Sequence, residues 1–102
     1  MPVIDTYAWI EYFKGSDVAK KFKQKIEFGG NITPTIVLAE ISKKFTDLGR
    51  ADLDEKLAFV RSKSAVLSLD DKTATSAGRI RSTIGIEGMG IVDCILLAVA
   101  RI

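Results

Sequence analysis

Three short strand-like segments, each followed by a segment with helical spacing, constrain the fold of this 102-residue chain most strongly. They are residues 2–4, an apolar run that reads as a buried strand, the brief segment 31–33, and residues 65–69. Between them, apolar residues recur at intervals of three or four, which is typical of amphipathic helices. Strands that alternate with helices predict a parallel sheet covered by helices. The sequence therefore predicts one small α/β domain spanning residues 1–102.

The helical segments give more local predictions. The pattern predicts a first helix from Thr6 and a second that runs from Val18 through Ile26, with residues 15–17 ending the first and capping the second. After the second strand, Thr33 is expected to cap a helix whose first residue is Pro34, because the first turn tolerates proline. Further helices are expected over residues 35–48, from 52, from about 71, and over 91–102.

Composition limits the chemistry that the chain can perform. There is no histidine and only one cysteine, Cys94, so a histidine base, a Cys/His zinc site and an internal disulfide are all excluded. Catalysis must therefore use Asp, Glu, Ser, Thr, Tyr, Lys or Arg. The single thiol, expected to be buried and inert, fits a reducing cytoplasm.

Charge and hydropathy argue against a strongly basic nucleic-acid arm, a signal peptide and a membrane span. The formal net charge is only +2, which excludes a strongly basic nucleic-acid arm but not RNA, since a bound divalent metal can supply positive charge locally. The N-terminal residues, which include Asp5, do not resemble a signal peptide. The longest apolar stretch, residues 94–100, is far shorter than the roughly 20 residues of a membrane span. No membrane association is expected.

Three acidic residues stand where folded proteins rarely place them without a reason. Asp5 follows an apolar strand, at the end of the sheet where ligands of α/β proteins bind, although position alone favours a helix N-cap. Glu40 interrupts an apolar helical stripe, and an exposed ion pair with Lys44 is an equally good reading. Asp93 is the only ionisable residue from 91 to 100, so it must cap a helix, be paired or bind metal.

These three acids are a stronger signal together than singly. In a parallel α/β sheet, all three can reach one cleft at the strand ends, where crowded carboxylates repel each other. A bound Mg²⁺ or Mn²⁺ removes that penalty, because hard cations prefer oxygen ligands. The absence of histidine fits this chemistry better than most others.

Three motifs in this order resemble those of the PIN-domain family, specifically toxin ribonucleases of the VapC type. Residues 3–6 resemble its first strand with an acid and an adjacent hydroxyl, residues 33–41 its glutamate-bearing helix, and residues 91–100 its aspartate-headed helix. The resemblance implies a three-layer α/β/α domain that cleaves RNA with a metal-activated water. It further implies that Asp5, Glu40 and Asp93 are metal ligands, that Thr6 supports the catalytic site by hydrogen bonding, and that the partners are a protein antitoxin and a second copy in a homodimer.

The sequence departs from the family pattern at its end. The family continues past the last helix with a further strand and a fourth acid, whereas this sequence stops at Ile102. A C-terminally truncated PIN-like domain is therefore expected. An inactive module that binds only an antitoxin or a dimer partner remains the alternative function. A haloacid-dehalogenase-type phosphatase ranks lower, because Tyr7 stands where its second aspartate belongs.

Other residues have both functional and structural interpretations. Asp70 or Asp71 can face the same cleft, but a helix cap is favoured. The basic residues of the third and fifth helices can contact RNA phosphates, although solvated helix faces are favoured; they are Lys43, Lys44, Arg79 and Arg81. The aromatic residues of the first helix can form a partner surface or a stacking platform, but core packing is favoured; they are Trp9, Tyr12 and Phe13.

Overall fold

The computed structural model describes residues 3–84 and 95–96, with the side chains of residues 83–84 excepted. Five α-helices, two β-strands and one 3₁₀ helix follow one another in this part of the chain. In order they are α1 (Thr6–Lys14), the 3₁₀ helix (Val18–Lys21), α2 (Lys23–Phe28), β1 (Asn31–Pro34), α3 (Thr35–Asp47), α4 (Leu53–Lys63), β2 (Ser64–Leu67) and α5 (Asp71–Ile84).

The sheet is parallel, as predicted. β1 pairs with β2 in a register that places Asn31 opposite Ser64. On the other side of β1, Val3 forms an isolated parallel bridge with Ile32, and the Ile4 amide donates to the Ile32 carbonyl at 2.9 Å. The second segment along the chain is therefore the central one, and the carboxyl ends of all three segments lie at the same edge. The predicted α/β fold class is confirmed.

Successive strand residues point to opposite sides of the sheet, so apolar side chains project from both faces. Helices cover each face. On one face, Ile4 joins a buried cluster with apolar residues of α1, α2, α3 and α4: Trp9, Ile26, Val37, Ile41, Phe45, Leu57 and Val60. On the other face, Val3 and Ile32 pack against Ala77 and Ile80 of α5 and against Ile95. The described residues thus form the three-layer arrangement that was expected.

A chain of hydrogen bonds ties α1 to both strands. The indole N–H of Trp9 donates to Thr33 Oγ1 at 3.1 Å, and the Thr33 hydroxyl donates to Ser64 Oγ at 2.8 Å. Trp9 and Thr33 are both fully buried, so these bonds satisfy polar groups that have no access to water. The prediction that Thr33 caps α3 was wrong. Thr33 lies within β1, and Pro34, with φ −64° and ψ 148°, is the residue before the helix.

The second predicted helix is also corrected. Residues 18–28 form a 3₁₀ turn and a short α-helix that are separated at Phe22, whose φ of −125° and ψ of 3° are not helical. Within the predicted capping segment, residues 15–17, the Ser16 hydroxyl accepts from the Ala19 amide at 3.3 Å, whereas the Asp17 side chain makes no capping bond. Phe28, the last residue of α2, is 92% accessible.

None of the helices in the described ranges is both long and apolar enough to cross a membrane.

Candidate active site

The first two predicted site segments meet at the carboxyl edge of the sheet. Asp5 directly follows Ile4, whose amide is bonded to β1, and α3 begins directly after Pro34, the last residue of β1. Ligands of parallel α/β sheets bind at this edge. The topology therefore places Asp5, Thr6 and the first turns of α3 where a site was expected.

Asp5 is the N-cap of α1, so the structural reading of this residue is correct. Its Oδ1 accepts a hydrogen bond from the Ala8 amide at 2.8 Å, and its backbone is extended, with φ −86° and ψ 175°. This bond uses one carboxylate oxygen. Within the described part of the chain, Oδ2 has no hydrogen-bond partner, and the residue is exposed. Capping and metal binding are therefore compatible at Asp5, because a carboxylate offers about four acceptor positions.

Glu40 contacts the segment that follows Asp5. The Thr6 hydroxyl donates to Glu40 Oε1 at 2.5 Å, in a partly buried bond between residues 34 positions apart. The alternative ion pair with Lys44 is not formed, since none of the four ion pairs among the described residues involves Glu40. This carboxylate is thus directed to α1 rather than to its own helix surface. A hydrogen bond between an ionised carboxylate and a hydroxyl is short and strong, which fits this distance.

Asp93, the third predicted acid, lies outside the described residues. Of the late helix expected over residues 91–102, only Ile95 and Leu96 are described, and both are helical. Ile95 is buried against Ala77 and Ile80, and Leu96 packs on the cluster that contains Trp9. Among the described ranges, no group of three potential metal-ligating side chains is found.

Asp70 is a helix cap. Its Oδ1 accepts from the Thr73 amide at 2.7 Å, so the choice between Asp70 and Asp71 is settled in favour of Asp70. The hydrogen bonds from the backbone and side chain of Thr73 lower the pKa of Asp70 from its usual value of 3.8. This carboxylate follows β2 and therefore lies after the same edge of the sheet as Asp5.

Comparison with models of protein families gives a match over almost all of the chain. The model that describes the PIN domain matches residues 3–102, which is nearly the whole chain. The chain belongs to the PIN-domain family. PIN domains are generally metal-dependent nucleases, and RNA is their general substrate. No curated protein and no solved structure is significantly similar to this PIN domain.

The residues at the edge fit a divalent metal in their chemistry. Asp5 and Glu40 contribute carboxylate oxygens, Thr6 contributes a hydroxyl, and the chain has no histidine. A donor set made only of oxygen suits Mg²⁺ or Mn²⁺ better than softer metals. Asp5 Oδ2 accepts no hydrogen bond from the described residues and is exposed, so it is available to a ligand.

Proposed function

We propose that this PIN domain is a divalent-metal-dependent endoribonuclease of the VapC kind, the toxin of a toxin–antitoxin pair. The observation that carries the proposal is the hydrogen bond from Thr6 to Glu40 beside Asp5. Two acids predicted independently from distant segments converge at one sheet edge, and neither is neutralised by an ion pair with another described residue. Acids in that arrangement are expected when a cation is their partner.

Each residue has a defined role in this proposal. Asp5, Glu40 and Asp93 hold Mg²⁺ or Mn²⁺, and Thr6 is a positioning residue that fixes the Glu40 carboxylate. When bound, the ion supplies a water of lowered pKa and stabilises the charge that develops on the phosphate. The cap at Asp5 fixes one of its oxygens against the α1 backbone, which restricts the direction of the other. Such support of metal ligands is a general requirement of metal sites.

The proposed partners follow from the same assignment. They are an RNA substrate in the cytoplasm, a protein antitoxin, and a second copy of the chain in a homodimer. The exposed Tyr7 on α1 and the exposed Leu48 after α3, both 58% accessible, are apolar surface that such protein contacts can cover.

The test is cleavage of a labelled single-stranded RNA by this chain with Mn²⁺, with Mn²⁺ plus excess EDTA, and by Asp5→Asn. We expect cleavage that requires metal and is abolished in Asp5→Asn, because the substitution removes the charge of a proposed metal ligand. Asparagine caps helices as well as aspartate, so the variant should remain folded.

Asp70→Asn is the matched control. Asp70 also accepts a hydrogen bond from the amide three residues later, so both variants lose one charge from an N-cap. If Asp5→Asn cuts RNA as fast as the parent, Asp5 is only a cap and the proposed site is wrong. If the folded parent does not cut RNA at all, the alternative of an inactive, binding-only PIN module replaces the nuclease.

A further inference from the structure

A cavity of about 350 Å³ lies between α1, the 3₁₀ helix, α2 and α4, away from the candidate active site. Its lining combines aromatic rings with three lysines and one acid: Tyr12, Phe13, Lys20, Lys23, Lys56 and Glu27. A neighbouring cavity of about 480 Å³ shares Tyr12, Phe13 and Lys56. We call the pair the aromatic–lysine cavity. Both volumes fall in the range of about 300–1,000 Å³ that small-ligand sites occupy.

The cavity is distinct from the proposed metal site. Tyr12 and Phe13 follow Thr6 by six and seven residues on α1. At about 1.5 Å per residue, they lie roughly 10 Å further along the helix axis. The cavity and the Thr6–Glu40 bond therefore lie at opposite ends of α1.

Its aromatic wall is held rigidly by other rings. Phe13 stacks on Trp9, with ring centroids 5.6 Å apart and planes at 25°, and Tyr12 stacks on Phe59 at 5.6 Å and 14°. Trp9 is fully buried beneath them, whereas Tyr12 and Phe13 are half-buried. Fixed rings with partly accessible surfaces make good stacking partners, because little side-chain entropy is lost on binding.

The charged groups at the cavity favour an anion. The Lys56 ammonium lies 5.7 Å from the Phe13 ring centroid, and Lys23 forms no ion pair with any other described residue. Lys20 pairs with Asp17 at 3.2 Å, but both side chains are largely exposed, so that pair is weak. Two acids also line the pair, Glu27 in the first cavity and Glu55 in the second, and Glu27 accepts a hydrogen bond from the Tyr12 hydroxyl at 2.7 Å.

We propose that the aromatic–lysine cavity binds one nucleotide of a single-stranded RNA. A base stacks on the exposed surface of Tyr12 or Phe13, and Lys20 and Lys23 contact the flanking phosphates. Aromatic stacking combined with basic side chains is the general mode of single-strand binding. The proposal rests on the proposed ribonuclease function, and it adds an RNA contact remote from the site of cleavage.

The test measures binding in EDTA, so it does not depend on cleavage. A labelled single-stranded RNA of twelve nucleotides is titrated by fluorescence anisotropy, and Trp9, the only tryptophan, reports occupancy through its emission. Lys20→Gln/Lys23→Gln is compared with Lys21→Gln/Lys25→Gln. The second pair comes from the same segment and carries the same charge change, but neither residue lines the cavity. Circular dichroism checks that both variants are folded.

We expect the cavity variant to bind up to about 25-fold more weakly at 0.1 M salt, because two phosphate contacts to a single strand contribute about 1.4 to the salt slope of log K. The control pair should retain most of the parental affinity, and RNA should change Trp9 emission in the parent. Equal losses in the two variants would show long-range attraction without a site and overturn the proposal.

Two other results also overturn it. If the parent does not bind RNA in EDTA, or if RNA binds without any change in Trp9 emission, the cavity is not an RNA site. If an equally charged polyglutamate displaces the RNA with equal strength, the cavity recognises charge without a base. A parent that binds RNA through the cavity but does not cut it would refute only the nuclease.

Discussion

Replacing Thr6 with valine isolates the hydrogen bond that joins the two parts of the candidate site. The substitution keeps the β-branched shape and removes only the hydroxyl that donates to Glu40 Oε1 at 2.5 Å. A hydrogen bond to a charged group contributes about 1.5–3 kcal/mol when buried. This bond is only partly buried, so water can partly satisfy Glu40 once the hydroxyl is removed. We therefore expect the free energy of unfolding to fall by about 1 kcal/mol.

The assay is urea unfolding of the metal-free protein in a double-mutant cycle with Glu40→Ala. Thr6→Val should cost about 1 kcal/mol in the parent and almost nothing once the acceptor has been removed, so a coupling of about 1 kcal/mol is expected. Thr46→Val is the control, because Thr46 is exposed on α3 and such substitutions usually change stability by no more than about 0.5 kcal/mol.

The same variant also tests the proposed role of Thr6 in the site. Loss of a group that orients a metal ligand typically weakens metal affinity or activity by about 10–100-fold, and Thr6→Val should do so for Mn²⁺-dependent RNA cleavage. A coupling below about 0.3 kcal/mol together with parental cleavage would refute the reasoning, since Thr6 would then neither hold Glu40 nor support the site.

Two predictions remain. The folded-state pKa of Asp70 is lowered, so its ionised form stabilises the fold above the unfolded pKa of 3.8, and this stability is lost as the pH falls through the lower folded value. In urea unfolding between pH 5 and 2, the free energy of unfolding of Asp70→Asn should therefore decrease less steeply than that of the parent. The proposed homodimer predicts twice the chain mass of 11.1 kDa in light scattering; a monomer at high protein concentration would contradict it.

Much of the fold could be predicted from local pattern. The helix that begins at Thr6, the helix over residues 35–47 and the parallel pairing all follow from apolar spacing and from the alternation of element types. Gly15 and Gly49 end two helices with φ of 67°, a conformation that glycine adopts without strain. These features depend on neighbours within a few residues, so a sequence displays them directly.

The errors occurred where distant residues decide the conformation. Threonine often caps helices, but the Thr33 hydroxyl forms hydrogen bonds with Trp9 and Ser64, which are 24 and 31 positions away. Phe22 lies at helical spacing from Val18 and Ile26, as the predicted second helix requires, but its backbone is not helical. The helix expected over residues 35–48 ends at Asp47, and Leu48, which follows it, is 58% exposed. Local spacing does not contain that information.

The candidate site shows the same division. The sequence singles out Asp5 and Glu40, the two of the three candidate acids that the structure describes, because Asp5 follows a strand and Glu40 interrupts an apolar stripe. The bond between Glu40 and Thr6 could not, since it depends on the relative placement of α1 and α3. Lys20 and Lys23 were not singled out, because the segment that contains them has the pattern of an ordinary solvated helix face. Their proximity to Tyr12 and Phe13 exists only in the folded chain.

The bonds from Trp9 through Thr33 to Ser64 also affect the order in which the chain can mature during synthesis. Translation adds residues one at a time from the N-terminus, so Trp9 leaves the ribosome long before either partner. Until β1 and then β2 have emerged, the indole N–H must stay hydrated and α1 has no complete surface on which to dock. These two hydrogen bonds can therefore both form only after Ser64 has left the ribosome.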